Sequence, residues 1–207
     1  FGEETNHKDG ESTIATTIGG ISWGTVLQVS GGPGVGKTQF ALQFAAIAAN
    51  NNIKVHYFVP KFASPTSLAR RLSQLLLTTD DVGSDTAAAL SNIVLDTFGD
   101  PHELLLAVAQ REDKEWNHSG TPSPLIIVDG SSTTTSLAPP PRTWHRLARL
   151  YHAIVLVVTP ATTTTSFGSI HIHVGNGGRA VCQKHPQCEK VGTVVSLTGE
   201  LPILSDD

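Results

Sequence analysis

The sequence contains no methionine, only two cysteines and two tyrosines, and no long hydrophobic run. Two cysteines argue against a small secreted fold stapled by disulfides and suit a reducing compartment. No apolar stretch reaches the roughly 18 residues needed to cross a bilayer as a helix, so no membrane span is expected. Lysine and arginine total 14 against 18 acidic residues, a formal charge of −4, and no basic tail or run of cations announces nucleic acid. The chain begins Phe1-Gly2-Glu3-Glu4, which is neither a signal peptide nor a natural start. Together with the missing methionine, this reads as a fragment or a processed piece.

What is present suits a folded domain. Apolar residues make up 39% of 207 positions, enough for a sizeable core. The length suits one domain with at most a short accessory segment. Residues 1–17 are expected to be a flexible N-terminal segment and 18–207 a single core domain.

Hydrophobic pattern and punctuation divide that core. Residues 25–30 (TVLQVS) predict a buried strand between glycines, and residues from Lys37 to about Asn50 a helix rich in Ala, Phe and Leu. A second strand is expected over 53–59, closed by Pro60. A helix follows to about Leu77, with Ser64 as its cap and Pro65 at its first position. Residues 78–88 read as a loop and 92–96 as a short strand. Asp100 can cap a helix over 101–111, and 112–124 is a polar loop. The apolar run 125–128 ending in Asp129 predicts a central parallel strand. A Ser/Thr/Pro-rich loop then leads to a helix over 143–152 and a buried strand over 153–158. Residues 169–204 read as short strands of more antiparallel character. The alternation of strand and helix up to residue 160 implies right-handed crossovers and a mostly parallel central sheet flanked by helices, an α/β fold.

The chemistry is concentrated in Gly31-Gly32-Pro33-Gly34-Val35-Gly36-Lys37-Thr38, which fits G-x4-G-K-[ST] in full, with a strand before it and a helix after it. Glycines let backbone N–H groups turn inward and approach a phosphate closely. The helix start adds the positive end of its dipole at the same point. Lys37 can neutralise β and γ phosphates and Thr38 can place its hydroxyl on Mg2+. Asp129 ends an apolar strand, where ligands collect in open parallel sheets, and is the second candidate Mg2+ residue. The cofactors implied are ATP and Mg2+. Hydrolysis also needs a group that activates the attacking water, usually a carboxylate. Neither Val59-Pro60-Lys61-Phe62 nor Gly130-Ser131 supplies one, so binding with weak turnover is expected.

With these residues in view, the chain resembles the RecA recombinase superfamily. More narrowly, it resembles a eukaryotic (fungal-type) paralogue of the strand-exchange recombinase acting in homologous recombination. The approach Gly19-Gly20-Ile21-x-x-Gly24, the loop with Gln39 after it, the strand at 54–58, the pair of 92–95 with 103–105, and the strand ending at Asp129 carry the resemblance. The segment 145–160 and the tail from Arg179 through Cys182 and Pro186 to Gly199 extend it. It implies a RecA-like P-loop core with C-terminal antiparallel hairpins and Gln39 as a ninth nucleotide-site residue. It implies a nuclear mediator of DNA double-strand break repair whose partners are other paralogues and the recombinase. Single-stranded DNA would be reached through that complex. The resemblance puts the family's catalytic Glu at Lys61 and its γ-phosphate-sensing Gln on or near Ala161. The family's DNA-facing loops fall on 131–141 and 162–169, which carry no Lys or Arg before Arg142. The activity implied is nominally a DNA-dependent ATPase without its catalytic acid. Readings from other classes are a small-molecule P-loop kinase, which Pro60-Lys61 disfavours, and a RecA-like structural subunit, which the complete loop disfavours.

Three further groupings stand out. Cys182-x2-His185-x2-Cys188, with His171 and His173 upstream, offers zinc-ligand types in a spacing that follows no common finger, and the two histidines alternate on a strand face expected to be exposed. Arg142, Arg146 and Arg149, with His145 and His152, lie at helical spacing and make a basic stripe, which could contact a phosphate or a partner but is expected first to be a solvated face. Arg70, Arg71 and Lys61 lie near the expected nucleotide end of the sheet, where one of them could reach a phosphate, although surface solvation is the simpler expectation. Trp23 is expected to pack under the approach loop.

Overall fold

Parallel strands buried on both faces read as continuous apolar runs, and such runs build the centre of this molecule. The structure, a computed structural model, describes residues 17–18, 21–78, 86–111, 123–130, 141–160, 166–175, 179–184 and 194–195. Two short strands, β1 (Thr17–Ile18) and β2 (Ile21–Ser22), pair antiparallel. The main sheet holds β3 (Val26–Gly31), β4 (Val55–Pro60), β5 (Ile93–Phe98), β6 (Leu125–Val128), β7 (Ile154–Pro160), β8 (Ile170–Val174), β9 (Ala180–Lys184) and β10 (Val194–Val195). Their spatial order is β10-β9-β8-β3-β7-β6-β4-β5. Pairs from β5 through β8 are parallel, whereas β8–β9 and β9–β10 are antiparallel. This bears out the mostly parallel sheet and the antiparallel C-terminal end.

The helices are α1 (Lys37–Asn50), α2 (Pro65–Thr78), α3 (Thr86–Ser91), α4 (Pro101–Arg111) and α5 (Pro141–Leu150). On one face, α1, α2 and α3 cover Leu27, Val29, Val55, Tyr57, Leu125, Ile127 and Leu156. On the other, Leu104 and Val108 of α4 and Trp144, Leu147 and Ala148 of α5 pack on Val26, Phe58, Ile126, Val155 and Val157. Alternate strand residues thus feed two separate cores, as a pleated sheet requires. Helix α1 ends in a Schellman turn: Asn52 takes φ 58° while Ile53 N–H reaches Ala48 O and Asn52 N–H reaches Ala49 O.

Local capping follows the sequence closely. Ser64 Oγ accepts from Ser67 N–H, and Asp100 Oδ1 accepts from the N–H groups of His102 and Glu103. Trp23 is half-buried against the core, as expected. Three expectations need correction. Part of the stretch read as a loop, 78–88, belongs to α3, a single short helix that exists because Ala89 seats in the core between α1 and α2. The segment after residue 169 is not antiparallel throughout: β8 forms an antiparallel hairpin with β9, but its other edge joins the sheet parallel to β3. The helix expected over 143–152 starts at Pro141 and stops at Leu150, where Tyr151 and His152 turn the chain and His152 adopts φ 48°. The segment 1–16, Ala161, most of the two DNA-facing loop positions, His185 and Cys188 lie outside the described residues.

Candidate nucleotide site

The strand order puts the C-terminal ends of β3, β4 and β6 along one rim, with β7 between β3 and β6. The loop 31–38 leaves β3 at this rim and enters α1 with Gly36 as N-cap. Gly34 and Gly36 take φ 73° and 98°, and a Cβ at either would meet nothing within 4 Å. The space around both positions is open, and only glycine takes these angles without strain. Gly31 is constrained differently, since a Cβ there would lie 2.3 Å from the Val174 carbonyl oxygen of β8. Lys37 folds back over the loop, its Nζ donating to Gly31 O at 2.9 Å and Gly32 O at 2.6 Å. Burial pulls the Lys37 pKa below its usual value, against the opposing attraction of Asp129.

Asp129 closes the other side. It follows β6, is buried, and its Oδ2 accepts the Tyr57 hydroxyl at 2.9 Å. The Thr38 side chain hydrogen-bonds the same carboxylate. Burial raises the Asp129 pKa, and the bonds from Thr38 and Tyr57 with the charges of Lys37 and Arg71 oppose that rise. Burial, then Asp129, pushes the Tyr57 hydroxyl well above its ordinary range, so it remains a donor. Beside this group lies a cavity of about 250 Å³ lined by Thr38, Pro60, Phe62, Ser64, Ser67 and Asp129, among others.

Thr38 and Asp129, the two candidate metal residues, are thus joined by a hydrogen bond, and Lys37 stands within electrostatic reach. A hydroxyl and a carboxylate form an oxygen-donor set of the kind that Mg2+ takes, beside a glycine loop entering a helix N-terminus, the chain pattern that cradles a polyphosphate. These residues fit the group.

Other expectations fare differently. Lys61 does not line the cavity; it pairs with Glu103 at 2.8 Å. Gln39 is not simply part of the loop, for its Oε1 accepts from Arg71 Nη2 at 2.8 Å. Arg71 is half-buried rather than solvated, a correction that follows from α2 packing on α1; Arg70 is exposed. His171 is buried and His173 half-buried, since β8 is an internal strand, and both rings hydrogen-bond Ser30 Oγ, at 2.8 Å and 3.2 Å. Cys182 is buried in the core on the opposite sheet face, and no group of three or more metal-ligating side chains occurs among the described residues. On α5, Arg142, Arg146 and Arg149 are exposed, whereas His145 Nε2 donates to Phe167 O at 2.7 Å. Tyr57 is a site residue that pattern reading missed, and Arg71, named there among three cations, was expected to be solvated. Tyr57 carried a signal: a hydroxyl inside an apolar strand must find a partner there.

This sheet order, the loop between β3 and α1, and the antiparallel end define a RecA-like P-loop NTPase fold. Among solved structures, the chain is similar to one described as an "ATPase Domain", with a TM-score of 0.57 over 82% of this chain and 78% of that chain, at 14% identity. Neither a protein-family model nor a curated protein sequence matches the chain.

Proposed function

We propose that this chain binds a magnesium nucleoside triphosphate, ATP, on the loop 31–38, and that the bound nucleotide stabilises an assembly more than it drives chemistry. The observation that carries the reading is the convergence of the open loop, Lys37 and Thr38 on Asp129 at one rim of the sheet. In this reading the N–H groups of the loop and Lys37 hold the phosphates, and Thr38 and Asp129 hold Mg2+, directly or through water. Bound Mg2+ would neutralise phosphate charge. Asp129 is the only acid among the described residues lining the adjacent cavity. A carboxylate committed to a metal does not also activate water, so turnover is weak or absent unless another chain brings the base.

Within that frame we propose a recombinase paralogue: a nuclear mediator of homologous recombination and DNA double-strand break repair, assembled with other paralogues and the strand-exchange recombinase. Single-stranded DNA would be met through the complex. The support is the ordered set of sequence matches together with an intact loop beside a lost catalytic acid. Nucleotide that binds only the folded, assembled state adds about 2.7 kcal/mol at a hundredfold excess over Kd. Calorimetric titration with Mg2+ and ATP, repeated on Lys37→Ala, tests the first part, and unchanged affinity in the variant would remove it. Affinity capture of partners with and without ATP tests the second; recombination proteins retained only with ATP are expected, and their absence would remove the mediator role.

A further inference from the structure

Helix α2 faces the phosphate loop with a stripe set by helical spacing. Ser64, at its N-cap, then Ser67 and Leu68 line the cavity beside Thr38 and Asp129, and Arg71 continues the same face at i+7 from Ser64 and i+4 from Ser67. Side chains on a helix lean toward its N-terminus, which for Arg71 is the direction of Ser67 and the cavity. Its Nη2 donates to Oε1 of Gln39, the residue that follows Thr38. The guanidinium is close enough to oppose part of the burial-driven rise in the pKa of both Asp129 and Tyr57.

The bond to Gln39 also orients the amide. A guanidinium has donors only, so the amide oxygen must face Arg71 and the Nε2 donors must face away from it. That Nε2 is buried and has no hydrogen-bond partner. Arg71 itself is held by a neutral amide rather than by a carboxylate. The guanidinium has Asp129 as an electrostatic partner but shares it with Lys37, and its planar fork matches a phosphate oxyanion better than an amide. Lys37 stands on the loop side of Asp129; a terminal phosphate beside Asp129 would bring further negative charge, for which the loop motif itself supplies Lys37 as its one side-chain cation beside Mg2+.

We propose that Arg71 is a specificity residue that selects the nucleoside triphosphate over the diphosphate: it rests on Gln39 and turns to the terminal phosphate when that group is present. The inference rests on the nucleotide reading above and adds a cation, supplied by this chain itself, that the loop motif does not contain.

The test is calorimetric titration of the full chain with MgATP and MgADP, on wild type, Arg71→Gln and Arg71→Lys. A charge-assisted bond predicts a loss of about ten- to hundredfold in ATP affinity for R71Q, unchanged ADP affinity, and an intermediate ATP value for R71K. Equal losses for both nucleotides would mark Arg71 as a packing residue between α1 and α2 and overturn the proposal. So would an unchanged ratio of the two affinities. If R71Q does not fold, the R71K ratio decides alone. Wild type that binds neither nucleotide removes the underlying reading as well, whereas wild type that binds both, with R71Q and R71K each keeping the wild-type ratio, removes only this inference.

Discussion

Lys61 Nζ stands 2.8 Å from Glu103 Oε1, and neither side chain lines the cavity beside Thr38 and Asp129. Glu103 Oε2 meanwhile accepts the Gly99 N–H at 2.7 Å, so the pair ties the end of β4 to the turn before α4. The hydrogen bond from Lys61 is the main reason the Glu103 carboxyl is held below its ordinary pKa. The family resemblance places a catalytic acid at position 61, yet the side chain at that position runs to Glu103 and stays out of the cavity. Lys61→Glu is therefore expected to leave phosphate release from MgATP at the wild-type level, while setting two like charges together at the surface. A rise in steady-state phosphate release in K61E would show that position 61 reaches the site after all. The cavity wall at the end of β4 is Pro60, and that is where a supplied carboxylate would be close to the candidate metal residues.

Asp129 illustrates a cost accepted for binding. Its folded pKa is raised by burial above the ordinary 3.8, so its contribution to stability is complete below that value and is lost as pH rises through the folded value. At neutral pH the buried carboxylate is a net cost. Asp129→Asn keeps an oxygen to accept from Tyr57 and Thr38 but removes the charge. The variant is expected to melt higher than wild type without ligand, by about 2–4 °C for each kcal/mol relieved, and to lose the Mg2+-dependent part of its ATP affinity. Thermal unfolding at pH 7 and titration with and without Mg2+ check both halves. A variant that melts lower at pH 7 would mean that the carboxylate's hydrogen bonds outweigh its desolvation.

What could be read in advance was local in character. The loop 31–38 is a contiguous string whose flanks are also contiguous, and the apolar run before Asp129 needs no partner to be recognised. Ser64 and Asp100 as caps depend only on the next three residues. The features that were missed depend on distant chain. Helix α3 has a single buried residue, Ala89, and nothing but its seat between α1 and α2 distinguishes it from a loop. Histidines 171 and 173 look like an exposed alternation until β8 is laid beside β3, which no turn residue dictates. Arg71 sits at clear helical spacing from Ser64 and Ser67, but spacing alone does not say that this face, rather than the one carrying Arg70, meets α1.

The two sheet faces also make a stability prediction. Leu72 is about as buried as any residue of α2, at 1% exposed, and packs in the core that supports the phosphate loop. Leu72→Ala should cost about 2–5 kcal/mol, read as a lower midpoint in urea with an unchanged slope. A cost below about 1 kcal/mol would mean that α2 does not pack on α1 in solution.

The last prediction concerns acid. Ser30 Oγ bridges His171 and His173, and Ser30 is the residue immediately before Gly31. A hydroxyl can donate to one ring and accept from the other only while at least one ring nitrogen is unprotonated. Burial lowers the His171 pKa below the ordinary 6.5, and the nearby His173 and Lys184 add to that. A histidine with a depressed folded pKa contributes stability that is present above the ordinary value and lost as pH falls through the folded one. Wild type is therefore expected to lose melting temperature between about pH 7 and pH 5, the window in which histidine changes charge. His171→Gln, which keeps a hydrogen-bonding group but cannot titrate, should lose less over the same interval. The protonated ring would disturb the strand end that presents Gly31, so ATP affinity should fall in step in wild type and stay flatter in H171Q. Parallel melting curves for the two proteins across this range would show that the Ser30 bridge is not a pH-sensitive element.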